Sequence, residues 1–312
     1  MVCKFCNINP VFRFNSSNIS LCKKCFIKYF ERKVLKTMRL YKLVKKNDNI
    51  AIAASGGKDS TVILYILNTF IKDRTVKLQA IAIDEGIHDY RNKSLKFLKD
   101  FCKKNNIKLN IYSYKKEFGK SLDEILKTYK GIPCSICGVL RRYLLNKKSK
   151  ELGVNKLVTG HNLDDESQSV FMNYSRNTLK LSSRMGPITG IKIHKNFIQR
   201  VKPLYFMSEK EVTTYAFLKG LLTKFSECPN DTDSYRAQVR DLLNDLEAKY
   251  EGSKNGLISS FLEILPLLKE KYKSLPEIKT CKVCDEPCSQ EICQACKYVE
   301  EVIKNNKVNV NL

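Results

Sequence analysis

The chain has 312 residues, enough for one large core with small satellites. Its 56 Lys and Arg against 32 Asp and Glu leave a net charge of +24, which points to a polyanionic partner, although general Lys enrichment would give the same number. No apolar run reaches membrane-span length and no signal-peptide core opens the chain, so a cytoplasmic protein without a membrane partner is expected.

The first motif is Cys3-x2-Cys6, followed after fifteen residues by Cys22-x2-Cys25. Two thiolates per knuckle can reach the corners of a tetrahedron, and four soft thiolates suit Zn²⁺. Thirteen cysteines is an odd number, and a cytosolic setting argues against a disulfide framework. A Lys/Arg-rich helix over residues 28–46 follows, either a solvated face or a contact for RNA phosphates.

Residues 49–54 read as a strand, and 61–70 as an apolar-periodic helix. Between them lies Ser55-Gly56-Gly57-Lys58-Asp59-Ser60. Such a loop can close backbone N–H groups on an anion at a helix N-terminus. It is not a Walker loop, because Asp59 stands after Lys58 where Ser or Thr is required. An acid there suits a metal-bridged pyrophosphate; the alternative is an ordinary Gly-rich turn. Further short strands over 76–84, 107–112 and 156–159, separated by helix-length segments, make the fold α/β: a doubly wound parallel sheet. Ligands then sit at the carboxyl ends of the strands, where Ser55, Asp84 and Gly160 fall.

Cys134-x2-Cys137 has no second doublet and opens a helix over 139–152; Cys228 lies in a loop-like stretch before Pro229. Three thiolates are an incomplete structural zinc set. They suit an iron–sulfur cluster with one iron open, or Cys134 and Cys137 act as a redox pair through a persulfide. After the strand ending at Thr159, Asp164, Asp165 and Glu166 open a helix. They are either capping acids or hold an acid that reaches Mg²⁺ on the pyrophosphate. With three histidines in all, His-based zinc sites are excluded. Cys281-x2-Cys284 and Cys293-x2-Cys296 form a second four-thiolate set, with Cys288 a spare thiol between them.

The loop at 55–60 resembles the signature of the PP-loop ATP pyrophosphatase superfamily, whose members split ATP between the α- and β-phosphates and adenylate a carbonyl oxygen. With Pro-Cys-Ser-Ile-Cys-Gly at 133–138, Thr-Gly-His-Asn-Leu-Asp-Asp-Glu at 159–166, Cys228-Pro229, the segment from Arg200 to Val212 and both sets of knuckles, nearly the full length resembles the TtuA/NcsA-type tRNA 2-thiolation enzymes. That resemblance implies that Cys134, Cys137 and Cys228 hold a 4Fe-4S cluster. It implies nucleotide contacts at Ala53, Ser55, Gly56, Gly57, Lys58, Asp59, Ser60, Ile81, Arg141 and Gly160. Catalytic roles fall on Asp59, Arg141 and Asp164. Arg141 stands where many relatives carry Lys; it keeps the charge but cannot shuttle a proton, so an α-phosphate clamp is the expected role. ATP with Mg²⁺, two Zn²⁺, tRNA, a ubiquitin-like sulfur carrier or free sulfide, and a homodimer are implied in the same way.

The expected units are an N-terminal zinc finger (1–27), a PP-loop catalytic domain (28–225), a helical extension with the third cluster cysteine (226–275) and a C-terminal zinc finger with its tail (276–312). RNA contacts are expected on 28–46 and 176–184. The Asn- and Lys-rich composition suggests a moderate-temperature source, hence thiolation at the anticodon wobble uridine rather than in the T loop. Two other classes compete: an amidating or lysidine-type PP-loop ligase, and a non-catalytic zinc-ribbon RNA-binding protein.

Overall fold

The structure is a computed structural model that describes residues 2–15, 17–71, 73, 75–191, 196–222, 228–230, 234–273 and 279–304. The expected unit limits at 225/226 and 275/276, and His194, lie outside the described residues.

A small ribbon, β1 (Phe12–Phe14) and β2 (Ile19–Leu21), leads into α1 (Lys23–Leu40). Then follow β3 (Asn49–Ala53), α2 (Lys58–Phe70), β4 (Lys77–Asp84), α3 (Arg91–Lys104) and β5 (Lys108–Ser113). The short helices α4 (Tyr114–Phe118) and α5 (Leu122–Leu126) precede α6 (Pro133–Glu151), β6 (Lys156–Val158), α7 (Leu163–Ser175), α8 (Leu179–Ser182), β7 (Gln199–Val201) and α9 (Glu209–Leu218). The helical pair α10 (Tyr235–Lys249) and α11 (Ser253–Lys271) comes next. A second ribbon, β8 (Lys279–Thr280) and β9 (Pro287–Cys288), is followed by α12 (Gln294–Tyr298) and a π-helical turn, Val299–Lys304.

The central sheet runs β5-β4-β3-β6-β7, with every pairing parallel. The chain moves outward from β3 to β5, then returns to the other side of β3 for β6 and β7. That reversal opens a crevice at the carboxyl ends of β3 and β6, the place where doubly wound sheets bind ligands. Strand alternation divides the core. Ile50, Ile52, Ala80, Ala82, Val158 and Val201 pack with α1, α2 and α9, where Phe30 stacks on Tyr215 at 4.2 Å. Ala51, Ile81, Leu157 and Ile198 face α6 through Leu145 and Leu152. A third core under Ile136, Leu140 and Leu144 of α6 takes in Cys281, Cys293 and Ala295 of the C-terminal module. A fourth joins Leu163 and Val170 of α7 to Ile258, Phe261 and Leu265 of α11.

The four expected sheet strands are present within a residue or two of their expected ends; β7 was not anticipated, because three residues are too short to carry a period. The basic helix differs more from expectation. It starts at Lys23 and ends at Leu40, not at 46, because Lys42 turns left-handed at φ 50° and the Leu43 N–H closes on the Met38 carbonyl at 2.9 Å. Fully buried Leu43 supplies the hydrophobic contact that accompanies such a stop. The helix expected over 139–152 begins six residues earlier, with Pro133 in its first turn where its missing N–H costs nothing. Among the described residues no helix is long and apolar enough to cross a membrane.

Candidate nucleotide and metal sites

The loop after β3 is held by its own hydroxyls. Ser60 Oγ accepts the Ser55 N–H at 3.2 Å and donates to the Gly57 carbonyl at 2.9 Å; the Gly57 N–H donates to Ser55 Oγ at 3.2 Å. Lys58 and Asp59 belong to the first turn of α2, so the motif forms a helix N-terminus and carries its partial positive charge. Gly56 has φ +85°, and a Cβ there would stand 2.6 Å from the Ser94 carbonyl oxygen. Across the crevice, a Cβ on Gly160 would stand 3.0 Å from the backbone of Asp59 and Ser60. These two glycines let the loop approach α3 and the strand end at Gly160 approach the loop to within backbone contact.

Buried Arg91 was missed by sequence reasoning. It donates to the Ser55 carbonyl at 2.5 Å, to the Ile83 carbonyl and to Ser94 Oγ at 3.2 Å, and pairs with buried Glu85 at 2.9 Å. One guanidinium thus ties the ends of β3 and β4 together. The other oxygen of Glu85 faces Arg141 at 3.6 Å, so a chain of contacts runs from Ser55 through Arg91 and Glu85 to Arg141 of α6, one turn after Cys137. An acid directly after a strand end, Asp84-Glu85-Gly86, was the available signal.

On the other side of the loop lies a cleft of about 460 Å³, lined by Lys58, Asp59, Asp164, Asp165, Glu209 and Arg236 among others. The Lys58 ammonium lies 3.0 Å from Asp59 and also pairs with Glu209. Asn162 caps α7 through the N–H groups of Asp164 and Asp165 and donates to Asp59 at 3.2 Å and Glu209 at 2.6 Å. The carboxylates of Asp59, Asp165 and Glu209 give oxygen donors of the kind Mg²⁺ takes when bridging phosphates. Burial raises the Asp165 carboxyl above its ordinary range. Asp164 is fully engaged: Lys254 of α11 pairs with Oδ1, and the Glu209 N–H donates to Oδ2 at 2.7 Å. Glu166 is buried against Lys202 at 2.7 Å, so it braces the site and does not line the cleft.

Cys134 and Cys137 lie in the first turns of α6, and Cys228 acts on Cys137 from the 228–230 segment. Cys134 Sγ approaches the Asn230 carbonyl at 3.6 Å, which brings the 228–230 segment against the helix, and Cys137 and Cys228 pack on the same core. Cys137 is pushed up to about 11, chiefly by burial, with Arg141 pulling the other way. Among the described residues, the cysteine sets whose sulfurs all lie within 4.8 Å of one another are Cys3, Cys6, Cys22, Cys25 and Cys281, Cys284, Cys293, Cys296. Each such set surrounds one point, as a tetrahedral Zn²⁺ needs. In the C-terminal set the hydrogen bond from Cys284 pulls Cys293 down to about 5, and the Cys293 N–H donates to Cys281 Sγ at 3.2 Å. A cubane cluster places each ligand on a different iron, so its cysteines stand wider apart than four ligands around one ion. Among the described residues Cys134, Cys137 and Cys228 form no such one-ion set, which is compatible with that wider spacing. Cys288 stands outside the zinc-type set, bonded to the Gln290 carbonyl.

Of the basic residues expected to meet RNA, Lys33 is committed to Glu211 at 2.9 Å, and Arg176 stacks over Tyr235 at 4.0 Å. The C-terminal module is fixed to α6 by Asn146, which donates to Glu286 at 2.5 Å and to the Asn196 carbonyl at 3.0 Å, and accepts the Ile198 N–H at 2.9 Å.

A parallel sheet with an anion loop after its first strand and an acidic cleft at the switch point defines a PP-loop nucleotide-binding protein, and residues 28–246 match the PP-loop domain family. The chain is 36% identical to tRNA-5-methyluridine(54) 2-sulfurtransferase of Pyrococcus horikoshii, over 96% of this chain and 93% of the relative. It is 31% identical to the tRNA 2-thiolation protein NcsA of Haloferax volcanii, over 97% and 99%. Its fold superposes on the U34-tRNA thiolase NcsA from Methanococcus maripaludis, solved with its 4Fe-4S cluster, with a TM-score of 0.82 at 33% identity, covering 97% and 96% of the two chains. The chain belongs to the tRNA 2-thiolation branch of the PP-loop family.

Proposed function

We propose that the protein converts a tRNA uridine to 2-thiouridine by ATP-dependent adenylation of the C2 oxygen followed by sulfur transfer. The observation that carries this reading is the chain Ser55–Arg91–Glu85–Arg141, which joins the anion loop to the helix that presents Cys134 and Cys137. On this reading, activation and sulfur delivery would be neighbours at the carboxyl edge of the sheet.

The C2 oxygen of uridine attacks the α-phosphorus of ATP, and the bond to pyrophosphate breaks. The N-terminus of α2, Lys58 and the Ser55 and Ser60 hydroxyls hold the departing pyrophosphate, which supplies positioning and charge stabilisation. Asp59, with Asp165 and Glu209 beside it, would hold the Mg²⁺ that neutralises the phosphates. Arg141 clamps the α-phosphate; an arginine there stays charged and moves no proton. Ala53 at the end of β3, Ile81 opposite it in β4 and Gly160 just after β6 would complete the nucleotide contacts. Hydrosulfide-level sulfur then attacks C2, and AMP leaves with the former carbonyl oxygen, so no net redox change occurs. Cys134, Cys137 and Cys228 would hold a 4Fe-4S cluster, which would supply the sulfide-level sulfur beside the target nucleotide. The two outer cysteine sets would each hold Zn²⁺. A ubiquitin-like carrier or free sulfide would supply the sulfur, and a homodimer would be the working form.

The wobble uridine is the favoured position, supported by the likeness to a U34 thiolase over nearly the whole chain. The T-loop uridine is the second reading, favoured by the relative that acts at position 54. Nucleoside mass spectrometry of tRNA from a deletion strain, with oligonucleotide mapping, tests both. Loss of 2-thiouridine from the anticodon loop supports the first reading, loss from the T loop supports the second, and unchanged levels at both refute thiolation.

A further inference from the structure

Among the described residues, two arginines beside the sulfur side of the site have no carboxylate paired with them. Arg200 lies in the edge strand β7, opposite Leu157 of β6, which in turn sits opposite Ala51 of β3. Residues in register share a face of the sheet, and Ala51 and Leu157 belong to the core under Leu145 and Leu152 of α6. Arg200 therefore stands on the α6 side, at the open edge of the sheet. Arg142 lies on α6 one turn before Asn146, the residue that ties α6 to the segment entering β7. Its guanidinium folds back toward the helix start over Gly138, where a Cβ would stand 3.1 Å from Nη1. Helices in such crossovers run against the strands, so the start of α6 and the end of β7 meet at the carboxyl edge of the sheet.

Among the described residues no carboxylate lies within 4.0 Å of either guanidinium. Glu286, the acid that acts on Arg200, is engaged by Asn146. Arg141, by contrast, has Glu85. Arg200 is pushed down to about 10, first by burial and then by Arg142, with Glu286 pulling the other way. Arg200 also lies 5.8 Å from the ring of exposed Phe197, which gives its plane an aromatic neighbour.

We propose that Arg142 and Arg200 form a phosphate-binding pair that holds the backbone of the RNA substrate beside the target nucleotide, a reading that rests on the proposed tRNA thiolation. Paired guanidiniums match a phosphodiester in bidentate geometry. The phosphates of ATP are a poorer match. They face Lys58 and the N-terminus of α2 after β3, and β7 lies two strands away, about 10 Å at ordinary strand spacing. The pair also differs from the basic helix surfaces: it adjoins Cys137 and the C-terminal module, the side from which a nucleotide would meet sulfur.

The test is tRNA affinity against salt for the wild type and for R142Q, R200Q and the double variant, with ATP-analogue affinity measured alongside. Each lost phosphate contact lowers the slope of log affinity against log salt by about 1, so the double variant should lose about 2 with ATP-analogue affinity unchanged. Arg142 is exposed, so R142Q alone keeps the test valid if the double variant fails to fold. A slope unchanged in R142Q overturns the proposal, and so does a fall in ATP-analogue affinity at unchanged slope. Thiolation by the wild type is assayed in the same preparation. Active wild type with unchanged slope in the variants overturns the phosphate pair alone; inactive wild type with the expected slope loss overturns the thiolation reading and leaves the pair standing.

Discussion

Lys254, on the second helix of the C-terminal pair, places its ammonium on Asp164 Oδ1 at the head of α7, 90 positions earlier in the chain. Both side chains are buried, and Asn244 accepts a further hydrogen bond from Lys254 at 2.5 Å. Glu247 caps the start of α11 by accepting the N–H groups of Gly252 and Lys254, each at 2.8 Å. The helical pair is thus attached to the acidic cleft through two charge contacts, this one and Arg236 of α10 on Asp165 at 3.5 Å.

Removing that contact leaves a buried carboxylate without its partner. Lys254→Met should cost about 3–5 kcal/mol of stability. Urea unfolding measures it, and Lys254→Arg should recover part of the loss. A Met variant within 0.5 kcal/mol of wild type would show that the pair is inert.

Gly56→Ala places a Cβ 2.6 Å from the Ser94 carbonyl at a left-handed φ of +85°. The loop must shift away from α3, and with it the N–H groups that meet the nucleotide. Affinity for a non-hydrolysable ATP analogue should fall at least tenfold, roughly 1.4 kcal/mol, by calorimetry. Gly220→Ala also has positive φ but meets nothing within 4 Å, and should leave ATP affinity unchanged.

Asp48 pairs with Lys156 at 2.7 Å and accepts the Lys45 N–H at 2.6 Å, at the amino edge of the sheet. Burial would raise its carboxyl; the bonds from Lys156 and Lys45 outweigh that and hold it below the ordinary range. A depressed folded value means the stabilisation is complete above the unfolded value of roughly 4 and is lost as pH falls below it. Asp48→Asn should therefore cost about 3 kcal/mol at pH 7, with the gap from wild type narrowing below about pH 4. Denaturant midpoints at several pH values measure the trend; a gap that widens on acidification would refute the assignment.

The C-terminal cysteine set shares a core with Ile136, Leu140 and Cys137 of α6, whereas the N-terminal set packs with α1. Cys293→Ala should release one zinc equivalent and also lower the visible absorbance of an anaerobically reconstituted cluster. Cys6→Ala should release zinc and leave that absorbance intact. Metal analysis with absorbance spectra separates the two outcomes; equal effects would remove the special link between the C-terminal module and the cluster.

Local signals carried much of this structure. The apolar runs before Ser55 and Gly160 gave sheet strands, and the paired knuckles gave both four-cysteine sets, because ligand spacing survives without knowledge of the fold. What stayed hidden was non-local. Arg91 is one charged residue in a basic helix until Ser55, Ile83 and Glu85 converge on it from two strand ends. Lys254 is one Lys among many until α11 packs on α7. The three residues of β7 have no readable period, yet they complete the sheet edge and carry Arg200. Asp164 stood out in the sequence as an acid, but its two bonding partners come from α9 and α11.

The most direct test of the two-part site is a single-turnover reaction of anaerobically reconstituted protein with ATP, sulfide and unmodified tRNA, following pyrophosphate and 2-thiouridine together. The account predicts one pyrophosphate released per 2-thiouridine formed. It also predicts that a variant with Cys134, Cys137 and Cys228 all changed to Ala still binds ATP and tRNA but forms no 2-thiouridine. Thiolation by that variant at the wild-type rate would contradict it.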